Sequence, residues 1–511
     1  MLSKVKSLGL IGIEGFDLTI EADLGKGLPK FEIVGLPDAA LKESKERVHS
    51  AIRNSGLKFP MGHTTINLAP ADVKKEGPMY DLPIALALLM ALEQIPTNSL
   101  EKTAVFGELA LDGSVRKVNG VLPLLITARN LGYKRIIMPK YNEKEASFID
   151  GLEIYAITSL SEVVSFLNKQ ITLSCVVSRS FEDIKQNIKT SDDFCYIREQ
   201  STATRAMEIA AAGGHNIIMI GPPGAGKTML AKCMPSILPD MTFDEALEVT
   251  KIHSVAGTLD NNVGIISTRP FRTPHHTATA IALTGGGQKS KPGEISLAHN
   301  GVLFLDELPE YNRKTLEVLR QPLEDGKITV SRIRAIVDYP SEILLVASMN
   351  PCPCGHYGSK NNQCKCTSTA IHKYLDKLSG PLMDRIDLHI EVDGVSFDEL
   401  RANDKLEESS ESIKQRVNFA RAIQRKRFEG TNIKCNAKMN TAQVNKFCVL
   451  DEQSQKLLKD AFERLSLTAR AYNRILKVAR TIADLDNSQD IQIQHIAEAI
   501  GYRSLDKKYW V

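Results

Sequence analysis

Apolar positions recur with different periods along this chain, and the changes of period predict where its parts begin and end. Residues 1–168 alternate between short β-like runs and helical stretches. The predicted strands are 31–34, 64–68 and 135–138, and the predicted helices are 38–55, 82–92 and 122–131. Strands interleaved with helices in this way indicate a mixed domain of both element types. A polar stretch follows, and we predict a linker over residues 169–192.

The remainder of the chain divides again near residue 395. Residues 193–395 contain short, wholly apolar runs between helical stretches, the βαβ pattern of a mostly parallel sheet. From about residue 410 the apolar residues recur at helical spacing, as in 457–465 and 475–482. We therefore predict an α/β domain over 193–395 and a helical domain over 396–511.

Composition narrows the class of protein only slightly. The 511 residues are 43% hydrophobic and carry a net charge of +3, which argues neither for nor against a nucleic-acid partner. The longest apolar run, 82–92, is too short to span a bilayer, so we expect no membrane partner. Glu14 and Asp17 interrupt the region where a signal peptide would be apolar, and nine cysteines are few for a secreted framework. We therefore predict a cytoplasmic protein.

A phosphate-binding loop is the most informative motif. The apolar run 217–220 precedes the loop, and a helix-prone stretch follows it. The loop residues are Gly221, Pro222, Pro223, Gly224, Ala225, Gly226, Lys227 and Thr228. Strand, glycine loop and helix in this order let backbone N–H groups surround phosphates. We expect Lys227 to reach the β- and γ-phosphates of a nucleoside triphosphate and Thr228 to place its hydroxyl on Mg²⁺.

Two later strand ends supply the groups that hydrolysis needs. The buried run 302–305 ends in Asp306 and Glu307, and the run 343–347 leads to Asn350. At the carboxyl ends of parallel strands, one carboxylate can hold Mg²⁺ through water while the next polarises the attacking water. We assign the metal role to Asp306 and the base role to Glu307, and we expect Asn350 to orient that water.

A four-cysteine cluster follows Asn350 directly. Its members form two Cys-x-Cys pairs: Cys352 with Cys354, and Cys364 with Cys366. Four thiolates can close a tetrahedral Zn²⁺ site, and we predict structural zinc here. The alternative is four reduced thiols without metal, and His356 is close enough in sequence to compete as a ligand.

The order of these motifs resembles an AAA+ ATPase core with a helical lid. The segments 269–277, 285–287 and 292–299 narrow the resemblance to the Mg-chelatase-like YifB/ComM family, across essentially the whole chain. The resemblance implies a homo-hexamer. It also implies that Arg385 is the arginine finger acting on a neighbouring subunit's ATP, and that Arg470 is the sensor-2 arginine of the lid.

The amino-terminal domain resembles the proteolytic domain of Lon, an α+β fold, through the segments 106–116 and 128–132. The nucleophilic serine of that protease would follow Gly77-Pro78, where Met79 stands instead. Its lysine would lie just after Gly120, where residues 121–132 contain none. A thioether cannot act as a hydroxyl nucleophile, so we predict a Lon-protease-like domain that is not an active protease.

Two uses of ATP stay open. The family resemblance implies a DNA helicase or branch-migration motor acting on branched or single-stranded DNA in recombination or natural transformation. The alternative is a remodeller of a protein or cofactor complex, like the ATPase subunit of Mg-chelatase.

Basic residues favour DNA only weakly. Residues 320–334 are predicted to form a hairpin with Asp325-Gly326 at its turn, carrying Lys327, Arg332 and Arg334. Such charges could contact phosphates, but they also fit a solvated strand face. The run Arg421, Arg425, Lys426 and Arg427 allows the same two interpretations.

Overall fold

The computed structural model describes residues 2–185, 192–260, 262–287, 290–332, 335–358, 363–394, 407–465, 467–505 and 509. Arg334 and the predicted domain boundary at 395/396 lie outside the described residues, as does part of the predicted linker.

The chain forms two compact units. The first consists of Met1–Asn187, Phe243–Ser267 and Ser331–Val337, and the second of Ile188–Thr242, Thr268–Val330 and Asp338–Val511.

The strands are β1 Leu2–Ile11, β2 Glu14–Gly25, β3 Lys30–Val34, β4 His63–Ala69, β5 Thr103–Val105, β6 Glu108–Leu109, β7 Val115–Arg116, β8 Arg135–Pro139, β9 Glu153–Ile157, β10 Ile217–Ile220, β11 Phe271–Arg272, β12 Gly285–Gly286, β13 Lys291–Pro292, β14 Val302–Leu305, β15 Lys327–Arg332, β16 Ala335–Pro340, β17 Leu344–Met349 and β18 Leu388–Glu391.

The α-helices are α1 Ala39–Lys42, α2 Ser44–Asn54, α3 Asp81–Ala91, α4 Val121–Asn130, α5 Glu143–Ala146, α6 Leu160–Leu167, α7 Glu182–Lys185, α8 Ser201–Gly213, α9 Lys227–Ile237, α10 Phe243–Ala256, α11 Ala280–Thr284, α12 Glu294–Leu297, α13 Arg313–Glu317, α14 Arg320–Asp325, α15 Ser368–Leu375, α16 Gly380–Met383, α17 Ser410–Arg427, α18 Thr441–Phe447, α19 Glu452–Arg464, α20 Ala469–Leu485 and α21 Ile493–Gly501.

The first unit is built on a seven-stranded mixed sheet in the order β3-β4-β2-β1-β5-β8-β9. Strands β1 and β2 form a long antiparallel hairpin that the apolar pattern did not reveal. Helix α3 is buried along its whole length, which explains why its sequence is apolar on every side. The predicted strands near 31, 64 and 135 are confirmed, as are the helices near 82 and 122.

One predicted helix is interrupted. The sequence predicts a single helix over 38–55, but the structure has α1 and α2 with a break at Glu43. The Asp38 side chain caps the first of them by accepting from the backbone N–H of Leu41. The periodicity continues across the break, so it could not reveal that the chain restarts there.

The second unit is built on a five-stranded parallel sheet in the order β11-β14-β17-β10-β18. Strands β10, β14 and β17 are buried at every residue, as the wholly apolar sequences of β10 and β14 and the largely apolar sequence of β17 predict. Because neighbouring parallel strands end at the same edge, the segments after these three strands lie together. The helices from α17 to α21 pack with α8 and α9 into the same hydrophobic core.

The hairpin prediction over 320–334 is wrong about where the turn lies. Residues 320–325 form α14, and Gly326 ends that helix in a left-handed conformation instead of turning a hairpin. The hairpin lies further on, where β15 pairs with β16. Asp-Gly suits both a hairpin turn and a helix end, so the dipeptide alone could not distinguish them.

Within the described ranges, no helix is both long enough and apolar enough to cross a membrane.

Candidate active site

The loop between β10 and α9 has the conformation that a phosphate site requires. Gly224 and Gly226 adopt φ of +78° and +82°, which residues with side chains rarely adopt, and both positions open into free space. Gly221 is needed for another reason: a Cβ there would lie 2.2 Å from the carbonyl oxygen of Val392. The helix that begins at Lys227 points its free N–H groups towards this loop.

Lys227 is almost fully buried at the start of that helix. Its ammonium donates to the carbonyl oxygens of Gly221 (2.7 Å) and Pro222 (2.9 Å) and to Oδ1 of Asn350 (3.2 Å). Burial lowers the pKa of Lys227, although the charges of Asp306 and Glu307 oppose that shift. The Lys227 ammonium therefore donates to neutral oxygens. Phosphate oxygens can replace these acceptors, and their negative charge would then pair with the cation.

Thr228 and Asp306 meet as the sequence predicts. The Thr228 hydroxyl donates to Oδ2 of Asp306 at 3.0 Å, which joins the helix start to the end of β14. The other Asp306 oxygen accepts a hydrogen bond from the Ser348 hydroxyl. Ser348 was not predicted to belong to the site, although a buried serine inside an apolar strand was a signal that could have revealed it.

Glu307 is the more exposed of the two carboxylates, with 53% of its side chain accessible. It adopts a left-handed conformation (φ 52°), and its backbone N–H donates to Oδ1 of Asp306 at 3.1 Å. Because of this turn, the consecutive carboxylates of Asp306 and Glu307 are suited to different roles. The Nδ1 atom of His276 lies 3.7 Å from the Glu307 carboxylate, a contact that the sequence did not predict.

The arrangement fits ATP and Mg²⁺ by its donor set. Backbone N–H groups and Lys227 would hold the phosphates, while the Thr228 hydroxyl and Asp306 carboxylate offer the oxygen ligands that Mg²⁺ prefers. Bound Mg²⁺ would neutralise charge on the phosphates. Glu307, exposed beside these groups, is free to accept a proton from water.

Arg385 and Arg470 do not join this site within one chain. The carbonyl oxygen of Arg385 accepts from the Asn216 side chain at 2.9 Å, at the amino-terminal end of β10. The phosphate loop begins at the other end of that strand, about 16 Å away for the five residue steps from Asn216 to Gly221. Arg470 lies at the same edge as Arg385, with its guanidinium 3.6 Å from Asp384.

A buried polar network fastens the helical part to this edge of the sheet. His215 shares a hydrogen bond with Asp387 (3.2 Å) and another with Thr481 (2.8 Å), and Arg474 forms an ion pair with Asp387. Burial alone would raise the pKa of Asp387, but the charge of Arg474 and the contacts of His215 outweigh it, so the pKa lies well below its usual range. The segment that carries Arg385 is thereby held rigidly.

The four predicted cysteines converge. Their Sγ atoms all lie within 4.8 Å of one another, as four ligands of one ion require. Backbone N–H groups of His356 and then Lys365 lower the pKa of the Cys354 thiol to about 6. The backbone N–H of Cys366 would lower the pKa of the Cys364 thiol, but burial and the neighbouring sulfurs outweigh it and raise that pKa to about 12. The loop also contacts the phosphate loop, because a Cβ on Gly355 would lie 2.5 Å from Cδ of Pro223. These residues fit a tetrahedral metal site.

The positions where Lon-type catalysis needs its serine and lysine belong to the core of the first unit. Met79 is buried, as are Leu122 and Leu124 in α4. The Met79 carbonyl oxygen accepts from the backbone N–H of Gly107 at 2.8 Å. The buried side chains of Met79, Leu122 and Leu124 therefore contribute to hydrophobic packing.

The basic residues considered for DNA divide into two groups. Lys327 pairs with Asp338 at 3.0 Å, and Arg427 forms an ion pair with Asp484. Arg421 donates to the Ala211 carbonyl oxygen at 3.1 Å. Lys327, Arg425 and Lys426 are exposed, whereas Arg421 and Arg427 are half-buried. The side chain of Arg332 lies outside the described residues.

Comparison with family models gives matches over most of the chain. Residues 193–400 match the model of magnesium chelatase, subunit ChlI. Residues 20–142 match that of subunit ChlI of Mg-chelatase, and residues 407–503 match the C-terminal part of the same subunit.

Individual relatives extend over nearly the full length. The chain is 43% identical over 511 residues to the protein YifB of Escherichia coli, covering 99% of this chain and 98% of that one. It is 43% identical over 505 residues to the competence protein ComM of Haemophilus influenzae, with the same coverage. It is also 32% identical over 124 residues to Lon protease 2 of Bacillus subtilis, covering 24% of this chain and 22% of that protease.

Proposed function

The chain belongs to the Mg-chelatase-like YifB/ComM family of AAA+ ATPases, and from this membership we propose that it is a DNA motor. The family implies ATP and Mg²⁺ as cofactors. The proposed motor moves on branched or single-stranded DNA as a helicase or branch-migration factor, in recombination or natural transformation. The observation that carries the DNA assignment is the full-length similarity to a competence protein.

In the proposed reaction each side chain has one task. Lys227 and the loop N–H groups would bind the phosphates, and Thr228 and Asp306 would hold Mg²⁺. Glu307 takes a proton from the attacking water, and Asn350 orients that water. Ser348 positions the Asp306 carboxylate through its hydrogen bond.

We propose that the active site is completed between subunits of a homo-hexamer. The support is the placement of Arg385 and Arg470 at the sheet edge away from their own phosphate loop. In a ring, one subunit can present this edge to the next subunit's ATP. A guanidinium suits that task because it is permanently charged and can bridge two phosphate oxygens.

We also propose one structural Zn²⁺ on Cys352, Cys354, Cys364 and Cys366, in the reducing cytoplasm. The convergence of the four Sγ atoms supports this site. We propose further that the Lon-protease-like domain is not proteolytic, since Met79 and Leu124 stand at the positions of the nucleophile and the lysine.

The DNA assignment is tested by titrating single-stranded, duplex and four-way-junction DNA at two salt concentrations, and by following junction migration with ATP. We expect binding that weakens steeply with salt, because phosphate contacts release counterions. Lys227→Ala should abolish migration and leave DNA binding intact. Absence of binding to every DNA form at low salt would contradict the proposal.

A second function is favoured by the family models, which are those of a magnesium chelatase subunit along most of the chain. On that alternative the ATPase remodels a protein or cofactor complex. An ATPase rate that no DNA form changes, together with absence of DNA binding, would favour this remodeller.

A further inference from the structure

The three guanidinium nitrogens of Arg385 differ in their contacts within the chain. One terminal nitrogen donates to the Pro381 carbonyl oxygen at 2.7 Å, and the other forms an ion pair with Glu324. The third nitrogen, Nε, is buried and has no acceptor among the described residues. A buried N–H without an acceptor is costly, so the described part of the chain does not fully satisfy this guanidinium.

Glu324 occupies the solvent side of this pair. Its side chain is 62% exposed, whereas that of Arg385 is only 13% exposed. The carboxylate stands at the end of α14, next to the helix-ending Gly326. An anion arriving from outside could therefore displace Glu324 from Arg385 without unpacking the arginine.

Two further arginines act on the same carboxylate. The pKa of Glu324 lies below its usual value first because Arg385 donates a hydrogen bond to it, and then because of the charges of Arg385, Arg470 and Arg320. Arg470 also pairs with Asp384 at 3.6 Å, and Arg320 with Glu317 at 2.8 Å. Glu324 is thus paired directly with Arg385, and the charges of Arg470 and Arg320 also favour its ionised form.

This arrangement matches what a phosphoryl group would meet. Carboxylate and phosphate oxygens bind a guanidinium through the same fork of N–H donors, and phosphate carries the greater charge.

We propose that Glu324 is an internal substitute for the phosphoryl oxygens of the neighbouring subunit's ATP, and that it holds Arg385 until a phosphate replaces it. Glu324 is then a positioning residue that opposes subunit engagement, because it occupies the guanidinium of Arg385. The proposal rests on the proposed action of Arg385 between subunits. It adds a competition between a carboxylate and a phosphate for one guanidinium.

The test measures specific ATPase activity of the full chain against protein concentration, with ATP and Mg²⁺ saturating. Glu324→Gln should lower the concentration that gives half-maximal activity by about two- to fivefold, the scale of a partly exposed ion pair. The rate at saturating protein should stay within about twofold, since the pair is already broken in the assembled site. Glu324→Asp, which keeps the charge, should restore wild-type behaviour.

Glu317→Gln is the matched control, because Glu317 pairs with Arg320 on the neighbouring helix and does not contact Arg385. It should leave the concentration dependence unchanged. Sedimentation of Glu324→Gln should show easier assembly with a non-hydrolysable ATP analogue and not with ADP, since the exchange requires the terminal phosphate.

The outcomes distinguish a failure of the proposed action of Arg385 between subunits from a failure of the proposed role of Glu324. If mixed oligomers of Arg385→Ala and Lys227→Ala form without recovering activity, the action of Arg385 between subunits is overturned and the role of Glu324 with it. If wild-type activity does depend on concentration but Glu324→Gln matches wild type, only the role of Glu324 is overturned. An equal assembly shift with ADP, or a rate as low as that of Arg385→Ala, would also overturn it by showing a structural role.

Discussion

At the scale of single residues, the two adjacent carboxylates of the site have different surroundings. Asp306 is tied by Thr228 and Ser348, so both of its oxygens have fixed partners on neighbouring elements. Glu307 follows it in a left-handed turn and stays half exposed. Two adjacent carboxylates therefore meet different surroundings, one suited to a metal and the other to water.

The base role of Glu307 leads to a direct prediction. Glu307→Gln should bind ATP normally and hydrolyse it at least ~10²-fold more slowly, the loss expected when a general base is removed. Steady-state phosphate release and equilibrium nucleotide binding measure the two effects separately. Glu310→Gln is the control, because Glu310 lies one 3₁₀ turn further and pairs with Lys377 at 3.4 Å. A Glu307→Gln variant as fast as wild type would refute the assignment.

At the scale of elements, strand ends and loops are held by neighbours distant in sequence. The cysteine loop directly follows the strand end that carries Asn350, and its Gly355 lies against Pro223 of the phosphate loop. Helix α20 is attached to the start of β18 through Arg474, Asp387 and His215. Both attachments fix the position of a segment that carries a residue of the proposed reaction.

A metal in the cysteine loop should support the phosphate loop. Protein purified without a tag or chelator should contain about one zinc per chain. Replacing Cys352 and Cys354 by serine should lower both the zinc content and the ATPase rate, because the loop then no longer supports Pro223 and Asn350.

Replacing Cys435 and Cys448, which are buried elsewhere in the helical part, is the matched control and should leave zinc content unchanged. Zinc-free protein with full ATPase activity would refute the structural role.

The Asp387 network should be visible in the pH dependence of stability. Because its pKa is lowered in the folded chain, the stability it provides is present above about pH 4, the ordinary aspartate pKa, and is lost as pH falls towards the folded value. Asp387→Asn should cost about 3 kcal/mol near neutral pH, the scale of breaking a buried pair. The difference from wild type should shrink below pH 4.

Urea unfolding followed by circular dichroism at several pH values measures this difference. Asp384→Asn is the control: it removes a more exposed partner, that of Arg470, and should cost under about 1 kcal/mol. A cost for Asp387→Asn that does not change with pH would contradict the ionic origin.

At the scale of the whole molecule, one chain carries a complete phosphate-binding half and a separate arginine edge. The five-stranded sheet places Lys227 at one edge and Arg385 at the other. Because Lys227 and Arg385 lie at opposite ends of β10 within one chain, the proposed hydrolysis depends on assembly.

Mixing two inactive variants tests that dependence. Arg385→Ala and Lys227→Ala should each be inactive alone, and together they should recover part of the wild-type ATPase rate. Recovery arises at interfaces that pair an intact phosphate loop with an intact Arg385. Sedimentation must show that mixed oligomers form, and mixed oligomers without recovered activity would refute action between subunits.

Several features could be predicted from local sequence because short-range physics determines them. Glycines at Gly224 and Gly226 mark a loop that needs positive φ, and wholly apolar runs mark buried strands. Paired cysteines with small polar residues between them predicted a cluster that the structure brings together. In each case the information lies within a few residues of the feature.

Other features could not be predicted because they depend on which strands become neighbours. Ser348 joins the site only because β17 lies beside β14, and His276 reaches Glu307 only through the fold. The Asp325-Gly326 pair illustrates the limit, since the same dipeptide ends a helix here and would turn a hairpin elsewhere.

The sequence by itself determined the phosphate loop, its acidic partners and the family, because each depends on residue types at fixed spacing. Only the tertiary structure decided that Arg385 and Arg470 stand at the edge opposite their own phosphate loop, with Glu324 against Arg385. The reason is that sheet order and strand direction, which set distances between remote residues, arise from packing over the whole core and not from any local pattern.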